Sequence, residues 1–514
     1  MSGTTTSPAA VSFRPTDRFL LGIVLAVVTF WLFAQTLLNV IPGIQGELGV
    51  PTTLANLAVS ITSLFSGIFI VVAGKLADRL GRMRLLRTGI YLSIAGSLVI
   101  ALTPEELGAL TSTMLLGGRI LQGLSTACIM PASLALLKAY YDGRERQRAL
   151  SFFSLGTWGG SGLCSLFGGM MAATALGWRS IFWLSIIVAV ASLLLVSGTP
   201  ESRAGTGPGG RFDWPGMIGF VVALLALNVY ISQGPTLGWT SPVALGLLVV
   251  TAVAAVAFFR IETSRGQAFI NLQLFRDRAF AGAVLSNFLL NTAAGTLIVV
   301  LGLVQMASGW SSLQAGTLTI GYLVAILATI RVGERLLQRF GPRRPMIWGS
   351  LITGTGVLLC SMTFLLLEQY VVLTVIGFTL FGTGLGFYAT PSLDTAMASV
   401  PQSEGGAAGG MYKMASSLGN AMGVAVSAAL YAAGRGVDPA VIQSWGVFIG
   451  NQDNVALRFG GAIGLLFNVF MVGVALVSIL LTIPRERQEP QRVAAVQAAT
   501  GTGRGDVPPP PIGN

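Results

Sequence analysis

Two cations stand inside long apolar stretches of this sequence, Arg119 in LLGGRILQGLSTA and Lys413 in GGMYKMASSLGNAMG. An arginine at mid-bilayer costs about 2.5–3.5 kcal/mol on insertion scales, so it is placed there only where it faces a cavity or a partner. Such a cation can hold an anionic group or respond to a nearby proton. Few acids are available to answer it. Asp394 and Glu404 flank the turn before the Lys413 stretch, Glu334 lies at the end of another apolar run, and Asp78 is the single acid of the basic segment GKLADRLGRMRLLR, Gly74–Arg87. Amides supply the remaining polar chemistry. Gln35 and Asn39, and again Asn287 and Asn291, are spaced i, i+4, so each pair shares one helix face. Polar groups in lipid need partners, so these faces point inward. One use of them is hydrogen bonding between helices. The other is a central cavity shared with Trp31, Phe30, Tyr388 and Tyr412, apolar with a few polar groups, which suits an amphipathic organic molecule better than a sugar. For Lys413 the plainer alternative is an ammonium that snorkels to the membrane surface.

Other chemistry is excluded. Histidine is absent, which removes the commonest proton shuttle and metal ligand. Cys128, Cys164 and Cys360 sit in apolar runs without metal-ligand spacing and read as packing residues. No metal and no cofactor is expected. There is no G-x-x-x-x-G-K-[ST] loop, so ATP drive is not expected, and no catalytic cluster stands out.

The elements that position these residues are membrane spans. Of the 514 residues 53% are hydrophobic and 10% charged, with a mean hydropathy of +0.75; a soluble chain carries about 25% charge. Apolar runs fall at about 19–41, 53–73, 88–103, 108–137, 149–173, 179–198, 215–232, 241–259, 280–304, 313–332, 346–367, 370–392, 406–432 and 457–483, each about long enough to cross ~30 Å of hydrocarbon as a helix. The first is too long for a signal-peptide core and is an uncleaved span. The fold expected is an all-α polytopic membrane protein of fourteen spans with both termini cytoplasmic. The net charge of +11 suggests nucleic acid at first sight. Its placement rejects that partner, because the basic residues other than Arg119, Lys413, Arg179, Arg435 and Arg458 fall in segments read as cytoplasmic.

Internal repeats divide the chain. Leu76…Arg79-Leu-Gly81 returns as Leu336…Arg339-Phe-Gly341, and Pro131-Ala-Ser-Leu returns as Pro391-Ser-Leu, both at an offset of 260. The expected division is a disordered cytoplasmic N-terminus (1–17), a six-span half (18–198), a linker with two extra spans (199–279), a second six-span half (280–483) and a disordered cytoplasmic tail (484–514).

The order of residues from Gly74 to Leu86 resembles the loop signature of the major facilitator superfamily between its second and third spans. The resemblance implies a latch that holds two halves together in one of two alternating states, with Gly74, Asp78, Arg79, Gly81 and Arg82 at its functional positions. The second copy keeps Arg339 and Gly341, but Gln338 replaces the acid and Glu334 the glycine. A latch there would use Glu334 with Arg331 or Arg335. Leu115, Arg119, Gln122 and Gly123 match the family's fourth-span motif, whose arginine is linked to proton coupling. Gly160, Gly168 and Gly169 fit the fifth-span glycine pattern of its antiporters, although Cys164-Ser165 replaces a Gly-Pro pair and helix packing explains such glycines equally well.

Within the superfamily, the layout and the phrase WRSIF at Trp178–Phe182 resemble the fourteen-span drug:proton antiporter branch. This implies export of varied drugs, quinolones included, against protons at a bacterial plasma membrane, by a monomer whose partners are small organic substrates, protons and the bilayer. The branch usually has a first-span aspartate where this chain has Ala34 beside Gln35. The proton carrier is then to be sought among Asp394, Glu404, Glu334 and Asp78, with Arg119, Gln122, Gly123 and Lys413 in the coupling machinery. The alternatives are an exporter of one endogenous metabolite or lipid-like compound, and a membrane sensor or enzyme on the same fold.

Overall fold

The structure, a computed structural model, describes residues 15–34, 41–160, 174, 177–203, 213–264, 272–310, 312–446, 448 and 454–485. Gln35, Asn39, Cys164, Ser165, Gly168 and Gly169 lie outside the described residues, as do 1–14 and 486–514 of the expected disordered ends 1–17 and 484–514; Asp17 already belongs to a helix.

Every regular element among the described residues is helical. The first group is α1 (Asp17–Ala34), α2 (Ile41–Leu48), α3 (Thr52–Leu80), α4 (Arg82–Ala101), α5 (Ala109–Tyr140), α6 (Gly143–Ser154, continued by a π turn over Leu155–Gly159) and α7 (Arg179–Leu195). A hairpin follows, α8 (Trp214–Leu237) and α9 (Pro242–Ser264). The last group is α10 (Arg278–Thr292), α11 (Gly295–Ser308), α12 (Ser312–Thr317), α13 (Ile320–Phe340), α14 (Arg343–Cys360), α15 (Leu367–Ala398), α16 (Gly405–Arg435), α17 (Pro439–Ser444) and α18 (Val455–Thr482). Nine segments among the described residues are long and apolar enough to cross a membrane, and α7 is a shorter apolar helix. Large apolar side chains such as Leu481, Phe470, Val253 and Ile187 are exposed on the outer faces of these helices, as lipid contact requires.

Two local features differ from the sequence reading, each for a steric reason. The basic segment from Gly74 is not a loop: α3 runs to Leu80 and α4 begins at Arg82, with Gly81 alone between them at φ 127°, a backbone conformation that a side chain resists. The Glu201 carboxylate fixes the restart by accepting from Met83 N at 2.8 Å and Arg84 N at 3.0 Å, where a negative charge suits a helix start. The run at 280–304 is broken between α10 and α11. There α16 crosses so closely that a Cβ at Gly295 would stand 2.4 Å from Gly423 O, and one at Gly423 would stand 1.9 Å from Thr292 O.

The sequence repeat is also spatial in the helices that carry it. Gly89 of α4 abuts Ser125 and Cys128 of α5, and Gly349 of α14 abuts Gly384 and Tyr388 of α15. Gly96 meets Gly118 O and Gly356 meets Gly377 O, so small residues let the backbones approach at matching places. Helix α16 packs against α3, α5 and α8 on one side and against α10, α11 and α18 on the other.

Candidate functional site

The α3 and α16 backbones meet at Gly74 and Gly406, where a Cβ on either glycine would lie 2.3 Å from the other's carbonyl oxygen. One turn along α3, Asp78 is buried, and its carboxylate closes this contact. Asp78 Oδ2 accepts from Gly406 N at 2.9 Å and Ala407 N at 3.0 Å, the first amides of α16, and Oδ1 shares Gly406 N at 3.1 Å. Helix starts present unpaired N–H groups and the positive end of the macrodipole, so a carboxylate fits there. Arg82 returns from α4 to the same carboxylate, with Nε and Nη2 at 3.0 and 2.9 Å from Oδ1. Its guanidinium also donates to Gln402 O, and its backbone N donates to Ser202 O at 3.0 Å. Neighbouring Arg79 lies near the end of α3.

A second tie joins α5 and α6 to α15 beside the first. Asp394 is buried and accepts from Arg146 Nε at 3.3 Å and from Gln147 Nε2 at 3.2 Å. Lys138 at the end of α5 donates to Met397 O and Val400 O, and Gln402 Nε2 donates to Ala139 O at 3.2 Å. Glu404 lies in the short turn between α15 and α16. In the second copy of the hairpin, Glu334 pairs within its own helix, with Arg331 and with Gln338 Nε2 at 3.2 Å. Arg331 also stacks over the Phe152 ring of α6, 4.7 Å from its centroid. Arg335 and Arg339 are exposed, and Gly341 ends α13 with φ 73°. Of the two partners weighed for Glu334, the structure brings up Arg331.

Arg119 is fully buried. Its Nε donates to Ala58 O at 2.7 Å and its Nη1 to Gln122 Oε1 at 2.8 Å, while Gln122 Nε2 donates to Ser97 Oγ at 3.1 Å. Gly123 allows the close passage of α3, since a Cβ there would lie 2.6 Å from Thr62 O. The motif thus ties α3, α4 and α5 together. Lys413 lies eight residues into α16, roughly 12 Å along the helix from its start. Its ammonium does not snorkel to the helix end. It sits 5.1 Å from the centroid of Phe153 of α6, half-buried, with no ion pair among the described residues.

The amides and tyrosines divide differently from the cavity reading. Asn287 is buried and donates to Tyr412 O at 2.9 Å and Ser416 Oγ at 2.6 Å, so it joins α10 to α16. Asn291 donates to Asn287 Oδ1 at 3.0 Å and is part-buried. Tyr388 and Tyr412 are buried, and their hydroxyls run through a chain: Tyr412 donates to Ser392 Oγ, Ser392 to the Tyr388 hydroxyl, and that hydroxyl pairs with Ser286 Oγ at 2.7 Å. In this conformation both are buried and their hydroxyls are engaged by other side chains. Trp31 is part-buried against Gly160, whose missing Cβ makes room for the indole.

Sequence reasoning did not single out Glu201, Lys138, Arg146 or Gln147. Their only signal was membership of polar connecting segments, and it does not reveal which helix they touch. Arg179 and Arg458, read only as far-side charges, each hold a connecting loop by its carbonyls. Arg179 Nη1 donates to Thr103 O at 2.8 Å and Arg458 Nε to Thr363 O at 2.8 Å, acceptors separated by the same 260 residues.

The Major Facilitator Superfamily model matches residues 23–424 and again 283–502. The quinolone resistance protein NorB of Staphylococcus aureus (strain MRSA252) is 46% identical over 479 residues, 93% of this chain and 98% of that one. Among solved structures, a double-tryptophan mutant of XylE matches with a TM-score of 0.62 at 16% identity, covering 92% of this chain and 97% of that one. The human organic anion transporter MFSD10 matches with a TM-score of 0.57 at 16% identity, covering 91% of this chain and 100% of that one. At such identities the two structures speak for a common fold, and the relative and the family model speak for descent; the chain belongs to the major facilitator superfamily.

Proposed function

We propose that this protein exports amphipathic drugs, quinolones among them, from the cytoplasm across a bacterial plasma membrane by proton antiport. The observation that carries this reading is the likeness, over nearly the whole length of both chains, to a quinolone resistance protein. The arrangement we propose is a monomer with fourteen spans, two six-span halves with α8 and α9 between them, and both termini and the α3–α4 turn on the cytoplasmic face. The basic residues around that turn support the orientation. In that orientation the Asp78 and Asp394 ties are cytoplasmic locks, and the conformation described is closed toward the cytoplasm. Export then alternates between this state and one in which both ties are broken.

The locks differ in chemistry. Asp78 with Gly74, Arg79, Gly81 and Arg82 forms the first. In the second, Asp394 of α15 stands in for the acid missing at Gln338, and its cation comes from α6 as Arg146. A proton taken up by Asp394 would release Arg146 and loosen α6 from α15, which couples protonation to opening. One proton moving down 100 mV yields about 2.3 kcal/mol, while a tenfold drug gradient costs about 1.4 kcal/mol. A single proton therefore sustains a more than tenfold gradient.

In everted vesicles, adding norfloxacin or ethidium is expected to dissipate a preformed pH gradient in the wild type, and Asp394→Asn is expected to lack the response. Equal responses would move the carrier to Glu404, Glu334 or Asp78. Drug movement with no pH response in either would end the antiport half of the reading.

Lys413 supplies a cation facing α6 without a carboxylate on it, so it suits the carboxylate of a quinolone. Lys413→Gln is expected to reduce norfloxacin efflux about tenfold, the size of one charge-assisted hydrogen bond, with a smaller loss for cationic ethidium. A wild-type rate for both drugs would leave Lys413 as a packing partner of Phe153.

A further inference from the structure

The α8–α9 hairpin is not part of either six-span repeat, and its helices are the most outward-facing of the candidate spans: 33% of the α8 window and 17% of the α9 window are buried. One polar residue of α8 breaks that pattern. Asn228 is only 9% exposed and its side chain makes no hydrogen bond among the described residues. An amide in hydrocarbon has to find a partner, so a mostly covered residue of this helix whose amide makes no hydrogen bond and is not fully enclosed calls for a reason.

Its surroundings supply one. Asn228 points at the seam between α3 and α16, opposite Gly67, where a Cβ would lie 3.6 Å from Asn228 Nδ2 and 3.9 Å from Ser417 Cβ. Gly67 therefore leaves a side-chain-sized gap in α3 that faces both Asn228 of α8 and Ser417 of α16. Ser417 belongs to a polar stripe along α16, Lys413, Ser417 and Asn420, spaced so that all three share one face, and all are part-buried. Neither Ser417 nor Asn420 makes a side-chain hydrogen bond among the described residues. Polar side chains within a span, only part-buried and unpartnered, mark a face that meets water or substrate. The same seam continues toward the Asp78 tie: a Cβ at Gly410 would lie 2.8 Å from Ile70 O, and Gly406 abuts Gly74. Asn228 sits where this close glycine packing gives way.

We infer that the inserted hairpin takes part in transport, with Asn228 as a substrate-contacting residue that extends the Lys413–Ser417–Asn420 stripe through the gap at Gly67. An amide offers one acceptor and two donors. It fits the uncharged carbonyl or amine groups of an amphipathic drug and discriminates among drugs by that pattern, complementing the charge of Lys413. The inference rests on the drug-export reading.

The test compares norfloxacin and ethidium accumulation in cells that hold equal amounts of each protein in the membrane. Asn228→Leu keeps the branched shape and removes the hydrogen-bonding groups, while Asn228→Gln keeps the amide. Gly67→Leu leaves Asn228 in place but fills the gap before it. We expect Asn228→Leu and Gly67→Leu to shift the norfloxacin-to-ethidium efflux ratio about fivefold, the size of one net hydrogen bond, and Asn228→Gln to stay near the wild-type ratio. An unchanged ratio in both leucine variants overturns the inference, whether the two rates are normal or fall together, because a residue that only packs the hairpin cannot choose between drugs. Should Asn228→Leu fail to reach the membrane, Gly67→Leu and Asn228→Ala decide by the same ratio. If the wild type moves neither drug, the export reading itself has failed, and that result is distinct from an unchanged ratio.

Discussion

Asp78→Asn is expected to lower drug efflux more than about tenfold while the protein still reaches the membrane, because the substitution unbalances two states without unmaking the fold. The Asp78 carboxylate accepts five hydrogen bonds, two from Arg82, two from the Gly406 amide and one from Ala407. An asparagine of the same shape turns one of its two oxygens into a donor, which then faces donors on every side. It also leaves the buried Arg82 guanidinium without its counter-charge. Removing one partner of a buried ion pair costs about 3–5 kcal/mol, and about 1.4 kcal/mol is tenfold in an equilibrium. The state closed at the Asp78 end therefore becomes rarer by about two to three and a half orders of magnitude. Transport needs both states, so the cycle slows to the rate at which the rare one is visited. Met397, fully buried beside the Lys138 contact, reports the balance. With the native cysteines replaced, Met397→Cys is expected to react slowly with maleimide in the wild type and quickly beside Asp78→Asn. Undiminished efflux with slow alkylation would remove Asp78 from the mechanism.

Part of this site is legible in the sequence, for a specific reason. Asp78 stood out because its neighbours in sequence are also its neighbours in space: Arg82 is one helical turn away, and the glycines of the α3–α4 turn announce themselves by type. The all-helical, membrane-crossing character was legible because lipid imposes one composition on every crossing segment, whereas nine of the fourteen expected spans are matched by long apolar segments among the described residues. The other side of each contact was not. Gly406 lies 328 residues from Asp78, and nothing in GGAAGGMYKM says that its first amides seat a distant carboxylate rather than merely pack. Asp394 was picked out as a carboxylate, but its pairing with Arg146 depends on how α6 lies against α15, which periodicity does not encode. The tyrosines show the complementary case. Tyr388 and Tyr412 carry hydroxyls suited to a cavity, yet Ser286 and Ser392 sit within reach and satisfy them. A buried polar group goes to its nearest partner, and only the packing shows which partner is near.

Gly74→Ala is expected to be as damaging as Asp78→Asn although it removes no charged and no hydrogen-bonding group. The added methyl would stand 2.3 Å from Gly406 O and 2.8 Å from Gly406 C, and both are backbone atoms that cannot swing aside. Helix α16 must retreat for the methyl to fit, and that retreat pulls the amides of Gly406 and Ala407 from the Asp78 carboxylate. In a state with the two helices apart, the methyl meets nothing and raises helix propensity by up to about 1 kcal/mol. The substitution thus penalises closure alone, so stability toward heat is expected to hold or rise while efflux falls about tenfold or more. Gly117→Ala is the matched control: it too is a glycine within a helix, with nothing within 4 Å of the added Cβ, and it is expected to export normally. The double variant Gly74→Ala with Asp78→Asn separates one shared lock from two independent defects. Groups in direct contact that serve one closure are non-additive. If both changes abolish the same docking of α16 onto α3, the double variant is expected to export no worse than the poorer single one and to alkylate Met397→Cys at the same fast rate. Losses that multiply would mean that the glycine contact and the carboxylate act at separate steps, and the single lock proposed from their adjacency would be wrong.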